Sequence, residues 1–80
     1  NVEIYPNPNN GIFILRTINT IPNNMEIIVY NLFGEKVQHE IFRTTNNLEK
    51  ELDFRNLNSG LYHIELKTPT EKVIKTISIL

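Results

Sequence analysis

Apolar and polar residues alternate with a period of two along most of the chain, and clusters of turn formers interrupt them at short intervals. That period puts successive side chains on opposite faces of an extended strand. It predicts a short lead at Val2–Tyr5 and strands over Ile12–Thr17, Met25–Asn31, Lys36–Arg43, Leu48–Phe54, Leu61–Lys67 and Lys72–Leu80. The first interruption is Pro6-Asn7-Pro8-Asn9-Asn10-Gly11. Its two prolines lack backbone donors and Asn10-Gly11 is a strong turn dipeptide, so it is not a central strand. Asn19–Asn24, with Pro22 inside it, reads as a loop, and Phe33-Gly34-Glu35 as a hairpin tip. Asn46-Asn47, Asn56 to Gly60, and Thr68-Pro69-Thr70-Glu71 are the remaining reversals.

About seven short strands at regular spacing are the pattern of an all-β sandwich or small barrel. No segment sustains apolar positions at helical spacing with caps. The preferred fold is a seven-stranded antiparallel β-sandwich with an immunoglobulin-like arrangement; an open barrel is the alternative. Alternation also assigns a core. Phe13 and Leu15 share a face, as do Met25, Ile27 and Val29, then Val37 and Ile41, then Leu48, Leu52 and Phe54. Tyr62, Ile64 and Leu66 form the clearest set, because His63, Glu65 and Lys67 fill the opposite face; Val73, Ile77 and Ile79 complete it. Ile12, Ile14, Ile28 and Tyr30 fall on the other faces, where cover by the chain itself is favoured over a contact patch.

Composition sharpens the class. Alanine is absent, while Ile and Asn each occur twelve times and Thr seven. Ala is the best helix former, β-branched residues favour strands and Asn favours turns. Eighty residues make one domain with little room for a large internal cavity. The absence of cysteine excludes disulfides and thiolate zinc sites. A net charge of −1 gives no electrostatic case for nucleic acid. The first residue is Asn1, with no cationic apolar leader after it, so the chain reads as a module of a longer protein.

Catalytic chemistry finds little support. Ser59 and Ser78 are the only serines, and neither lies in a nucleophile elbow. Asp53 is the lone aspartate and the glutamates are dispersed. The chain is therefore expected not to be an enzyme and to need no cofactor. His63 and Glu65 share a strand face and amount to half a metal site; two solvated strand histidines, His39 and His63, are the favoured reading. The asparagines at 7, 9, 10, 23 and 24 have only Glu26 near them in sequence, too little carboxylate for calcium. Gly11, Gly34 and Gly60 all fall in turns and form no phosphate loop. Tyr5 and Tyr30 would make a weak sugar platform.

Four elements in fixed order are more specific. They are Tyr5-Pro6-Asn7-Pro8-Asn9-Asn10-Gly11, the Ile27–Val37 hairpin turning on Gly34, Leu57-Asn58-Ser59-Gly60-Leu61-Tyr62-His63-Ile64, and Lys72-Val73-Ile74-Lys75 leading to an Ile-rich end. Together they resemble the type A C-terminal sorting domain of the type IX (Por) secretion system, over Tyr5 to Leu80. In many such domains basic residues stand just before the last apolar stretch; here Thr76 and Ser78 interrupt that stretch. The resemblance implies a secretion signal at the end of a larger cargo protein of a gram-negative bacterium. It implies passage through the periplasm, recognition by the outer-membrane translocon and its shuttle components, delivery to the cell surface or medium, and removal by a sortase. The rival reading is a β-sandwich carbohydrate- or surface-binding module. Pro6, Asn7, Pro8, Gly11, Gly34, Gly60 and Tyr62 are expected to shape the signal. Lys72 and Lys75, on a final strand at a sheet edge, are the candidates for contact with the machinery, and the same edge would allow a dimer.

Overall fold

In a computed structural model, residues 2–18 and 23–80 are described. Among these residues seven strands appear in chain order: β1 (Val2–Tyr5), β2 (Ile12–Thr17), β3 (Asn24–Tyr30), β4 (Lys36–Arg43), β5 (Leu48–Asp53), β6 (Gly60–Lys67) and β7 (Lys72–Ile79). The expected loop over Asn19–Asn24 lies partly outside the described residues, at 19–22; within it, Asn24 already belongs to β3. A three-stranded sheet runs β1-β2-β5 and a four-stranded sheet runs β4-β3-β6-β7. Every strand pair is antiparallel. The result is a sandwich, in an order compatible with the immunoglobulin-like arrangement.

The core forms where the inward residues of both sheets meet. Phe13, Leu15, Leu52 and Phe54 come from the smaller sheet; Met25, Ile27, Val29, Tyr62, Ile64, Leu66, Ile77 and Ile79 from the larger. Phe13 and Phe54 meet edge to face, their ring centres 5.3 Å apart, an arrangement that places the positive ring edge on a negative face. Lys50 also points inward at the rim and sets its ammonium 5.1 Å from the centre of the Phe42 ring. This cation–π contact ties β5 to β4 across the sandwich.

β4 departs from simple alternation. Between Val29 and Tyr30 the register shifts: Val29 faces Gln38 while Tyr30 faces Lys36, so Val37 is an extra residue, a β-bulge. A bulge reverses which side chains point inward beyond it. Val37 packs on the core, but so does Phe42, and Ile41 turns outward with 66% of its surface exposed. The expected pairing of Val37 with Ile41 on one face is therefore corrected. The other faces follow expectation: Ile28 is buried between its cross-strand neighbours His39 and Glu65, while Ile12, Ile14 and Tyr30 are half-buried.

Candidate functional site

The Pro-Asn motif meets one margin of the four-stranded sheet, where β7 is the edge strand. After β1 the chain crosses from the small sheet to this edge through two cis peptide bonds, Tyr5-Pro6 and Asn7-Pro8. Asn7 then pairs with β7 through its side chain. Its amide nitrogen donates to the Thr76 carbonyl at 2.9 Å, and its amide oxygen accepts from the Ser78 N–H at 3.0 Å. A side-chain amide carries one donor end and one acceptor end, as a peptide group does. Asn7 thus stands in for a neighbouring strand; an aspartate would lose the donor.

Asn9 continues this pairing with its backbone. Its N–H donates to the Ser78 carbonyl at 2.9 Å and its carbonyl accepts from the Leu80 N–H at 2.8 Å, completing a parallel bridge beside Ile79. Its side chain, buried with the rest of the residue, folds back to hold the turn: Nδ2 donates to the Pro6 carbonyl at 3.1 Å and Oδ1 accepts from the Gly11 N–H at 2.8 Å. Gly11 sits at φ 101°, and a Cβ there would approach the Arg55 Cα to 3.0 Å. Its carbonyl accepts from the Phe54 N–H at 2.7 Å. The Pro-Asn opening is therefore wedged between the end of β5 and the end of β7.

The other motifs hold turns. Asn31 closes the β3–β4 hairpin, its side-chain oxygen accepting from the Phe33 and Glu35 N–H groups at 2.9 and 3.0 Å. Gly34 there has φ 82° with open space around it, and the tip presents Phe33 to solvent. Tyr62 is buried, and its hydroxyl donates to the Asn58 carbonyl at 2.6 Å, anchoring the turn that leads into β6. Gly60, at φ 153°, starts that strand.

Lys72 and Lys75 do not form one patch. Lys72 is exposed on the outer face of β7, while Lys75 lies on the inward side, opposite Ile64 at the rim. Lys72 faces Lys67 across the β6–β7 pair. His63 and Glu65 do share the outer face of β6, where they border an open groove of about 430 Å³ with Tyr30, Leu32 and Ile74. The two histidines are engaged separately: His39 Nε2 lies 2.5 Å from Glu26 Oε2, and His63 Nδ1 lies 3.2 Å from the Thr76 hydroxyl. Among the described residues no three His, Cys, Asp or Glu side chains converge as a metal site.

Tyr5 and Tyr30 stand on different sheets and cannot stack on one sugar. Tyr5 donates to Glu49 at 2.6 Å, and that bond, with a smaller effect of burial, raises the pKa of its hydroxyl. The Tyr30 hydroxyl is raised too, first by burial and then by Glu65 and Glu26.

Two residues carry more of this site than the sequence suggested. An asparagine cluster beside prolines reads as turn chemistry, which describes the Asn9 side chain but not the Asn9 backbone or Asn7. The available signal was the spacing of the two asparagines, two residues apart, the repeat of one strand edge. A model of a family described as the secretion system C-terminal sorting domain covers residues 3–80. No curated protein matches the chain.

Proposed function

The chain belongs to the C-terminal sorting domains of the type IX secretion system, and on that premise we propose that it serves as a folded address, with no bond made or broken by the domain itself. A sorting domain of this kind directs an N-terminal cargo to the secretion machinery and so toward the cell surface or the medium. The domain folds in the periplasm, the outer-membrane translocon and its shuttle read it, and a surface sortase removes it. Eighty residues form one such domain at the end of a larger secreted protein.

The observation that carries this reading is the agreement between the family match and the fold. The match spans both sheets, and the motif residues knit the first turn to the last strand through Asn7 and Asn9. An address shared by unrelated cargoes has to be read from shape, and these residues set the shape. Pro6, Asn7, Pro8, Gly11, Gly34, Gly60 and Tyr62 act by building it. Lys72 and Lys75 are left as direct contacts at the β7 edge.

The test is a passenger protein with an ordinary signal peptide, fused ahead of this chain in a type IX-competent cell. The passenger is expected outside the cell with the domain and inside without it. Equal distribution in both cases would end the sorting reading. Dimerisation through the β7 edge is the secondary outcome, to be read from sedimentation of the purified chain.

A further inference from the structure

The four sheet edges are not alike. β1 has only four residues, β4 carries the bulge at Val37, and β5 alternates Glu49, Glu51 and Asp53 along its outer face. Short length, bulges and charge are the usual means of blunting an edge. β7 is eight residues long with an unbroken register against β6. Its upper half is closed from within. Ser78 uses both backbone groups on Asn7 and Asn9, and Thr76 gives its carbonyl to Asn7. These even-numbered residues therefore direct their backbone groups away from β6. By the two-residue repeat, the N–H and C=O of Ile74 and Lys72 and the N–H of Thr76 point the same way. Among the described residues nothing pairs with them.

Three lysines stand beside this open stretch, and Glu65, opposite Ile74, is the one acid among the residues paired with it. Lys67 and Lys72 stand directly opposite each other, an unfavourable cross-strand pair. Glu26, the acid across the sheet from Lys67, is held by His39 at 2.5 Å. Lys67, Lys72 and Lys75 take part in none of the ion pairs among the described residues.

We propose that Lys72–Thr76 is a docking ledge for an extended acidic segment of the sorting machinery, which adds as a strand beside β7, with Asn7 and Asn9 as the stop that confines its register. The backbone of β7 supplies the hydrogen bonds, and Lys67 and Lys72 select carboxylates on the incoming strand's outer face. Lys75 meets the side chains that turn toward the core rim. This inference rests on the sorting reading and deepens it.

Ile74→Pro removes the N–H at the centre of the ledge. Proline is tolerated where an edge N–H faces solvent, and Ile74 is exposed. The passenger fusion carrying Ile74→Pro is expected to keep its cooperative melt and to lose export at least about tenfold, while Ile74→Thr, which retains the N–H, exports normally. The double variant Lys67→Glu/Lys72→Glu loses export to a similar degree and decides the matter alone if Ile74→Pro does not fold. Folded Ile74→Pro exported within about twofold of wild type would overturn the ledge. So would normal export of the double lysine variant. A dimer that Ile74→Pro dissolves without changing export would make a second copy the occupant and overturn it as well. Failure of the underlying sorting reading is distinguishable, because the wild-type fusion would then be distributed like the passenger without any domain.

Discussion

Asn9 shows how much a single side chain can hold. With 5% of its surface exposed, it satisfies the Pro6 carbonyl and the Gly11 N–H at once. Replacing it by alanine leaves both without that partner, and a buried group so orphaned costs about 1–3 kcal/mol. The Asn9→Ala melting temperature is expected to fall by at least about 4 °C, the shift about 1 kcal/mol makes in a domain this size. Gly11 and Gly34 separate two effects usually confounded. Both have positive φ, but only at Gly11 would a Cβ meet backbone, at 3.0 Å from Arg55 Cα. Gly34→Ala should cost about 1 kcal/mol from the dihedral alone. Gly11→Ala should cost clearly more, as parallel urea titrations would show. Equal losses would remove the steric argument.

Asp53 gives a residue-scale test in pH. Its hydrogen bonds from the Arg55 side chain, and then from the Arg55 N–H, hold its carboxyl below the ordinary value of 3.8. A depressed folded pKa stabilises the fold above the ordinary value, and the contribution disappears as pH falls through the folded one. Asp53→Asn should therefore melt slightly below wild type at pH 7, and the two melting temperatures should converge near the acid end of the titration. A constant gap at all pH values would mean the carboxylate charge is not responsible.

At the scale of elements, strand positions were legible and faces nearly so. Tyr62, Ile64 and Leu66 alternate against His63, Glu65 and Lys67, and the structure buries the first set as that pattern requires. Phe42 was missed for Ile41 because a bulge adds a residue without leaving a mark in hydropathy; Val37 looks like any strand valine. Sheet membership was not legible either. It depends on pairings such as Phe13 with Leu52, thirty-nine positions apart, which local pattern does not encode. The divided edge of β7 makes its own prediction. Amides of Ser78 and Leu80, bonded to Asn7 and Asn9, should be protected in hydrogen exchange, whereas the Ile74 amide of the same strand should exchange rapidly. Uniform protection along β7 would contradict the division.

The molecule as a whole joins its beginning to its end. The chain between Tyr5 and Gly11 closes against residues 76–80, so the outer side of the last strand's end is paired only when the first turn is in place. This explains why the Pro-Asn opening and the last strand, far apart in sequence, make one candidate site that spacing alone does not assemble. Loss of Lys72–Leu80 would remove Ile77 and Ile79 from the core along with the edge, so truncation cannot separate shape from contact.

A substitution that destroys shape while leaving the terminal strand intact can separate them. Ile27 is fully buried on β3, facing Glu40 on one side and Leu66 on the other; Ile27→Asp places a charge there with no cation opposite it and should unfold the domain. The direct measurement is the fraction of a passenger found outside a type IX-competent cell when it carries the wild-type chain or Ile27→Asp, with both fusions confirmed intact. The account predicts that the wild-type fusion is exported and the unfolded one retained. Equal export of the two would show that the signal is read from linear sequence, and the folded address would be contradicted.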